Sequence, residues 1–250
     1  MVTMDIITGG LVFVIGFIGA ILNSVAGTGS SAFMIPLLIF LGLPPHTAIA
    51  SYKIGAVGGT TGQTYKYNKA GKISKKHLPI LILCGIVGGT IGANILVQIP
   101  EDLVKTIIGI LVLGSLPFVF SKNLGLKQVK KSQQSVTKGY ISAFFISVLD
   151  GIASIMAGVI ATISFVHFFG LTMIETNATK QIYFFASLVP AVIVLYLSGH
   201  FDLFYSVALF LGMITGGYIG AHIAIQKGNK FVQTMFIIVV ALSALKLLFF

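Results

Sequence analysis

The sequence predicts an all-α polytopic membrane protein of two homologous halves with inverted topology, each half opening on a broken or re-entrant helical hairpin. Three observations predict it. The 250-residue chain is 56% hydrophobic and only 9% charged, whereas a soluble domain carries about 25% charged residues. Apolar runs recur along its whole length, and about 20 such residues cross a bilayer. Glycine and alanine positions repeat between the halves at one fixed spacing. No stretch is left over for a soluble domain.

Five apolar segments fill the first half, roughly Ile6–Leu22, Ala32–Leu43, Thr47–Tyr65, Leu78–Val97 and Leu103–Phe120. The second half offers Gly139–Leu149, Ile152–Phe169, Gln181–Leu197, Leu203–Ile225 and Phe231–Phe250. The organisation expected is a first repeat over residues 1–121, a basic linker over 122–138 and a second repeat over 139–250. The N-terminus lacks the basic region of a secretory signal, so the first segment is expected to be retained. The repeat shows in Gly42/Gly170, Ala50/Ala178, Gly71/Gly199, Gly88/Gly216 and Gly92/Gly220, which share a 128-residue spacing. The clearest block is Gly88-Gly89-Thr90-Ile91-Gly92-Ala93 against Gly216-Gly217-Tyr218-Ile219-Gly220-Ala221. Its Gly-x-x-x-Gly pairs place bare backbone on one helix face for close helix packing.

The net charge of +10 would point to nucleic acid in a soluble protein. Here the lysines crowd into loops, the footprint of the positive-inside rule, and nucleic acid is excluded as a partner. Lys66, Lys69, Lys72, Lys75 and Lys76 mark one cytoplasmic loop, and Lys122, Lys127, Lys130, Lys131 and Lys138 mark the linker. Gln98–Lys105 carries Glu101 and Asp102 and suits the outside. In the second half Ser198–Asp202 has no lysine, whereas Gln226–Lys230 has two. Equivalent loops thus face opposite sides, each half has an odd number of crossings, and the termini are expected outside. Inverted repeats of this kind are the architecture of secondary transporters, which hold substrate at interrupted helices. A parallel arrangement of four crossings per half is the alternative.

The interruption that organises the chain is Asn23–Ser31, small and polar inside an apolar stretch. Open backbone inside a bilayer is tolerated only where it lines a cavity or is buried in protein. A helix starting near Gly29 would turn free N–H groups and its positive dipole end to the break, an anion site. Asn23, Gly27, Thr28, Gly29, Ser30 and Ser31 are therefore candidate substrate contacts; simple capping by the serines is the structural alternative. The matching second break, Asp150–Ser154, contributes Ser154. Charges inside a membrane generally face a cavity or a partner, which singles out Lys53, Asp150 and Lys180. With their neighbours Ser51, Tyr52, Thr179 and Gln181, the lysines are candidates for binding an anion, and snorkelling to the interface is the alternative. Asp150 is the candidate proton carrier, with a helix cap as its alternative role. Tyr52, Thr60, Thr61 and Gln63 give the third segment a polar character that suits a cavity wall. His167 is read as structural.

An enzyme is not expected. There is no His-Glu-x-x-His and no Gly-x-Ser-x-Gly, and Asp150 has no Gly-rich aspartate partner. No nucleotide-binding loop is present. The single Cys84 excludes an internal disulfide or a multi-cysteine metal site. No cofactor and no metal are expected.

The stretches Ala26-Gly-Thr-Gly-Ser-Ser-Ala-Phe-Met-Ile-Pro36-Leu-Leu and Leu41-Gly-Leu-Pro-Pro-His46-Thr-Ala-Ile-Ala-Ser-Tyr-Lys53 resemble the TauE/SafE family of sulfite and organosulfonate permeases. The Gly-Gly-x-x-Gly-Ala blocks are similar to the family's as well, and the resemblance covers essentially the whole chain. The second half departs from it, with little glycine over Ile155–Gly158 and Ser164 where Pro36 predicts proline. Tyr52 stands where the family has Asn before its Lys or Arg. The resemblance implies secondary transport of a small, often sulfur-containing anion across a prokaryotic cytoplasmic membrane. The reading is a proton-coupled permease working by alternating access, its partners the anion and the bilayer, with a homodimer compatible. A passive anion channel and a membrane scaffold or accessory subunit are the alternatives.

Overall fold

A computed structural model describes residues 6–27, 29–114 and 135–249, all helix and connection. The helices are α1 (Ile6–Ala26), α2 (Ser31–Phe40), α3 (Pro45–Lys69), α4 (Leu78–Gln98), α5 (Glu101–Gly114), α6 (Val136–Ile152), α7 (Ala157–Phe169), α8 (Met173–Leu197) and α9 (Leu203–Phe249). Residues 115–134, most of the basic linker, lie outside the described part. The last two predicted segments are joined in α9, which is interrupted at Gly228 by a non-helical φ of 83°.

Local sequence sets these limits. Pro45 occupies the first turn of α3, where its missing N–H has no partner to lose. At the other end Lys66 and Lys69 sit in the last turn, next to the negative end of the dipole. Thr172 and Glu175 form a reciprocal capping box that starts α8. Among the described residues four helices are long and apolar enough to cross a membrane, within Thr8–Ala26, Lys75–Gln98, Met173–Leu197 and Leu203–Met235. At 1.5 Å per residue, the 10 residues of α2 and the 13 of α7 reach only part-way across. The chain is a multi-pass membrane protein. α3 is as long as α8 but far less apolar, because most of it is enclosed by other helices rather than by lipid.

The packing exchanges partners between the halves. α9, from the second half, lies between α1 and α3 of the first; α4, from the first half, lies between α6 and α8 of the second. Glycine makes both triads possible. An added Cβ on Gly212 or Gly216 would strike the α1 backbone at Phe13 or Phe17, and one on Gly62 would strike Ile214 of α9. On α4, Gly88 sits against Phe144 and Ser147, Gly89 against Ser187, and Gly92 against Val148 and Gly151. These pairings rise together along each chain segment, so helices within a triad run the same way.

The two triads run in opposite senses. At one face His46, at the start of α3, bonds the Leu96 carbonyl near the end of α4 through Nε2 at 3.0 Å, and stacks on His200, beyond the end of α8. At the other face the Ser74 N–H, beyond α3, donates to Thr179 near the start of α8 at 3.0 Å. There too the Ile174 N–H donates to Asn229, past the Gly228 break, at 2.9 Å. The second face carries Lys66, Lys69, Lys72, Lys75 and Lys76 together with Lys227 and Lys230; the first carries Glu101, Asp102 and Asp202.

Candidate functional site

Each half opens on a full helix, a break and a short helix. Between α1 and α2 the chain turns at Gly27 (φ 71°) and Gly29 (φ 86°), a left-handed backbone that glycine adopts without Cβ strain. Between α6 and α7 the same turn is made by Ser154 (φ 59°) and Met156 (φ 66°), residues that pay about 1–2 kcal/mol each for that conformation. Gly27 and Ser154, Gly29 and Met156, Asn23 and Asp150, and Lys53 and Lys180 all correspond at a spacing of 127. The hairpins and the two lysines thus follow a register one residue shorter than the glycine ladder.

A lysine from each half grips the break of the other. Lys53, two turns into α3, donates from Nζ to the Asp150 carbonyl and to Ser154 Oγ at 3.0 Å. Lys180, two turns into α8, donates to the Gly27 carbonyl, to Thr162 Oγ1 at 2.6 Å and to the Gly158 carbonyl at 3.5 Å. The exposures of the two lysines are 0% and 1%. Helix breaks leave carbonyls short of intrahelical partners, and Lys180 supplies one to Gly27; the Asp150 carbonyl keeps the Ser154 N–H at 3.1 Å and gains Lys53 as a further donor. Thr162 Oγ1 also donates to the Gly27 carbonyl at 3.0 Å. Ser31 Oγ donates to the Ser154 carbonyl at 2.9 Å and joins one break to the other. Within the first break the Gly29 N–H bonds Asn23 Oδ1 at 2.8 Å.

A small cavity of about 40 Å³ lies between the breaks. One wall is a face of α3, with Tyr52, Ala56, Gly59, Thr60 and Gln63; another is Gln181, Phe184 and Leu188 of α8. Asn23, Gly29, Asp150, Ser154, Gly158, Lys180 and Met213 complete it. Asp150 is 4% exposed, and its Oδ2 accepts a hydrogen bond from Ser187 Oγ at 2.7 Å. Ser30 Oγ and Gln63 Oε1 are buried and lack a hydrogen-bond partner, which leaves polar capacity unused beside the cavity.

The predicted residues divide as follows. Asn23, Gly29, Tyr52, Asp150, Ser154, Lys180 and Gln181 line the cavity. Gly27, Ser30, Ser31 and Lys53 form the breaks and their clamps around it. Ser51 does not line the cavity; it faces α9, where Ser206 Oγ donates to it at 3.4 Å. Thr179 does not line it either, being occupied by the Ser74 N–H. Of the polar positions on α3, Thr60 and Gln63 face the cavity while Thr61 is exposed. Thr28 lies outside the described residues.

Sequence reasoning passed over Ser187, Thr162 and Asn177. Ser187 lies two turns beyond Lys180 on α8, a spacing that puts both on one helix face and could have flagged it. Thr162 and Asn177 carried no such signal, since each meets Gly27 only through the fold.

The Sulfite exporter TauE/SafE family model matches residues 12–247. The chain belongs to the TauE/SafE family. This is a family of membrane transporters. Among its relatives, the probable membrane transporter protein YfcA of Escherichia coli K12 is 24% identical over 241 residues, covering 96% of this chain and 89% of that protein. The probable membrane transporter protein ORF9 of Sinorhizobium sp is 25% identical, covering 94% and 90%. The probable membrane transporter protein YdhB of Bacillus subtilis is 23% identical, covering 96% and 100%.

Proposed function

We propose that this TauE/SafE protein is a secondary permease that carries a small anion, sulfite or an organosulfonate, across the cytoplasmic membrane by alternating access, coupled to protons through Asp150. The observation that carries the reading is the reciprocal clamp: two helix breaks meet at one buried polar cavity, and each is held by a lysine from the opposite half. Movement of one triad against the other must re-form those contacts, so occupancy of the cavity and the disposition of the halves are linked. The opposed senses of the triads support inverted repeats, and the lysine-rich face supports a cytoplasmic orientation for Lys66–Lys76, with the N-terminal end of α1 outside. The name of the family supplies the sulfur oxyanion, and the family's membrane-transporter relatives support transport over an enzyme.

The lysines do not wait empty for a ligand. An anion entering the cavity competes with backbone carbonyls for ammonium N–H groups, and charge-assisted bonds to an oxyanion are the stronger kind. The unpartnered Ser30 hydroxyl at the start of α2 adds a donor at the positive end of that helix.

The test is counterflow of radiolabelled sulfite in proteoliposomes, with a panel of cold anions and a Ser30→Ala/Ser31→Ala double variant. Saturable exchange that a proton gradient alters, impaired in the folded double variant, is the expected result. Non-saturating flux indifferent to the gradient would assign a channel instead. Absence of any anion exchange would remove the permease reading.

A further inference from the structure

The cavity is small and its lining is of two kinds. A volume of about 40 Å³ holds about three water-sized groups at about 10–15 Å³ each, the complement of oxygens in a three-oxygen anion. The helix breaks supply polar lining, whereas the side chains of Ala56 on α3, Phe184 and Leu188 on α8 and Met213 on α9 offer an anion only carbon and sulfur. Contacts between the opposed triads hold both faces together, His46 to Leu96 at one and Ile174 to Asn229 at the other. An alternating-access carrier passes its substrate through a stage with both faces joined, so the space between them bounds what can pass. Met213 has little room to withdraw. It is 1% exposed and lies in a slot of glycines. A Cβ added to Gly55 of α3 would stand 2.8 Å from its Sδ, and one on Gly59 would stand 3.5 Å from its Cβ and Cε. One on Gly16 of α1 would stand 3.4 Å from its Cγ. Methionine is ordinarily the adaptable side chain of a core, but here the backbones of α1 and α3 occupy the space into which it would turn.

We infer that Met213 sets the size limit of the cavity, so that a bare three-oxygen anion is accepted and one with a carbon substituent on its central atom is refused. This rests on the permease reading and decides between the two substrates that reading names. A pyramidal three-oxygen head fills the volume when its oxygens take the places of the waters. A methyl group on the central atom adds a fourth group. It must push either the head away from the polar breaks or the Met213 thioether out of its slot. The first loses hydrogen bonds to the anion. The second overpacks helix contacts that are already close. Both routes penalise the substituent whatever charge the anion carries.

The experiment is competition against labelled sulfite exchange in proteoliposomes of the full chain, with chlorate set against methanesulfonate. Both are monoanions with pyramidal three-oxygen heads, and they differ by a methyl group in place of a lone pair. Chlorate should compete at least about tenfold better, the discrimination that one such group earns in a close-fitting pocket. Ethanesulfonate should compete no better than methanesulfonate. Met213→Ala should narrow the gap between chlorate and methanesulfonate at least about threefold, a change of ranking that loss of folded protein does not produce. Met213→Val, smaller than methionine and still apolar, carries the same test where the alanine variant does not fold. Equal competition by the two anions, competition by neither, or a ranking that the Met213 variants leave unchanged overturns the inference. Failure of sulfite itself to exchange would instead remove the permease reading beneath it.

Discussion

Several side chains here have duties that their residue type does not announce. Lys53 and Lys180 read as charges waiting for an anion, yet each is committed to a backbone carbonyl at the helix break of the other half. Ser154 and Met156 hold a left-handed turn built from glycine in the other half. Ser154 repays that strain by accepting from Lys53; nothing in the structure explains the choice of Met156. At the acidic face the rings of His46 and His200 stack at 4.5 Å between centroids, with Glu101 Oε1 3.7 Å from His46 Nδ1. Burial, and then the neighbouring His46, pushes the His200 imidazole below its ordinary range, partly opposed by Glu101. The folded protein therefore binds this proton less readily than the unfolded chain. The associated stability is fully present above about pH 6.5 and is lost as pH falls from there through the folded value. Thermal unfolding in detergent should show that loss on acidification, and His200→Asn should reduce it. An identical acid profile in the variant would assign the loss to other groups.

At the scale of elements, the hairpin turn between α1 and α2 depends on Gly27. Its φ of 71° disfavours any side chain, and an added Cβ would meet the Asn177 amide. Gly71 has nearly the same backbone, φ 64°, but open space around it. Gly71→Ala should therefore cost only the left-handed term, about 1–2 kcal/mol. Gly27→Ala should cost that amount and more, since the amide must shift too. The check is thermal stability of the two variants side by side, and equal losses would show that Asn177 yields freely. The same comparison explains why the second hairpin was less legible in the sequence. Without glycines at Ser154 and Met156, only Asp150 and the small residues around it mark the turn, a weaker signal than the Gly27–Gly29 pair.

For the whole molecule, the exchange of α4 and α9 between the halves ties each repeat to the other. No half could present its cavity wall alone, because each break is clamped from across the pseudo-symmetric boundary. The opposed senses of the two triads also give a test of topology. In a Cys84→Ser background, Lys72→Cys, which is exposed on the lysine-rich face, should react with a membrane-impermeant maleimide only from the cytoplasmic side. Asp102→Cys, on the opposite face with a side chain 97% exposed, should react only from outside. Labelling of both from one side would overturn the assignment of the two faces.

Much of this was readable from the sequence. Apolar runs determine a multi-pass helical protein, because the bilayer enforces segment length locally along the chain. The first break was equally legible, since Gly27 and Gly29 interrupt an apolar run that a membrane would otherwise keep helical. Only the tertiary structure decided which helices exchange partners, which face of α3 lines the cavity, and that Ser51 and Thr179 turn elsewhere. It alone brought Ser187 to Asp150, and Thr162 and Asn177 to Gly27. Hydropathy and spacing describe one helix at a time, whereas the clamps depend on donors and acceptors more than 90 residues apart in the chain. Their pairing follows from how glycine-lined backbones settle against each other, and one-dimensional periodicity does not encode that.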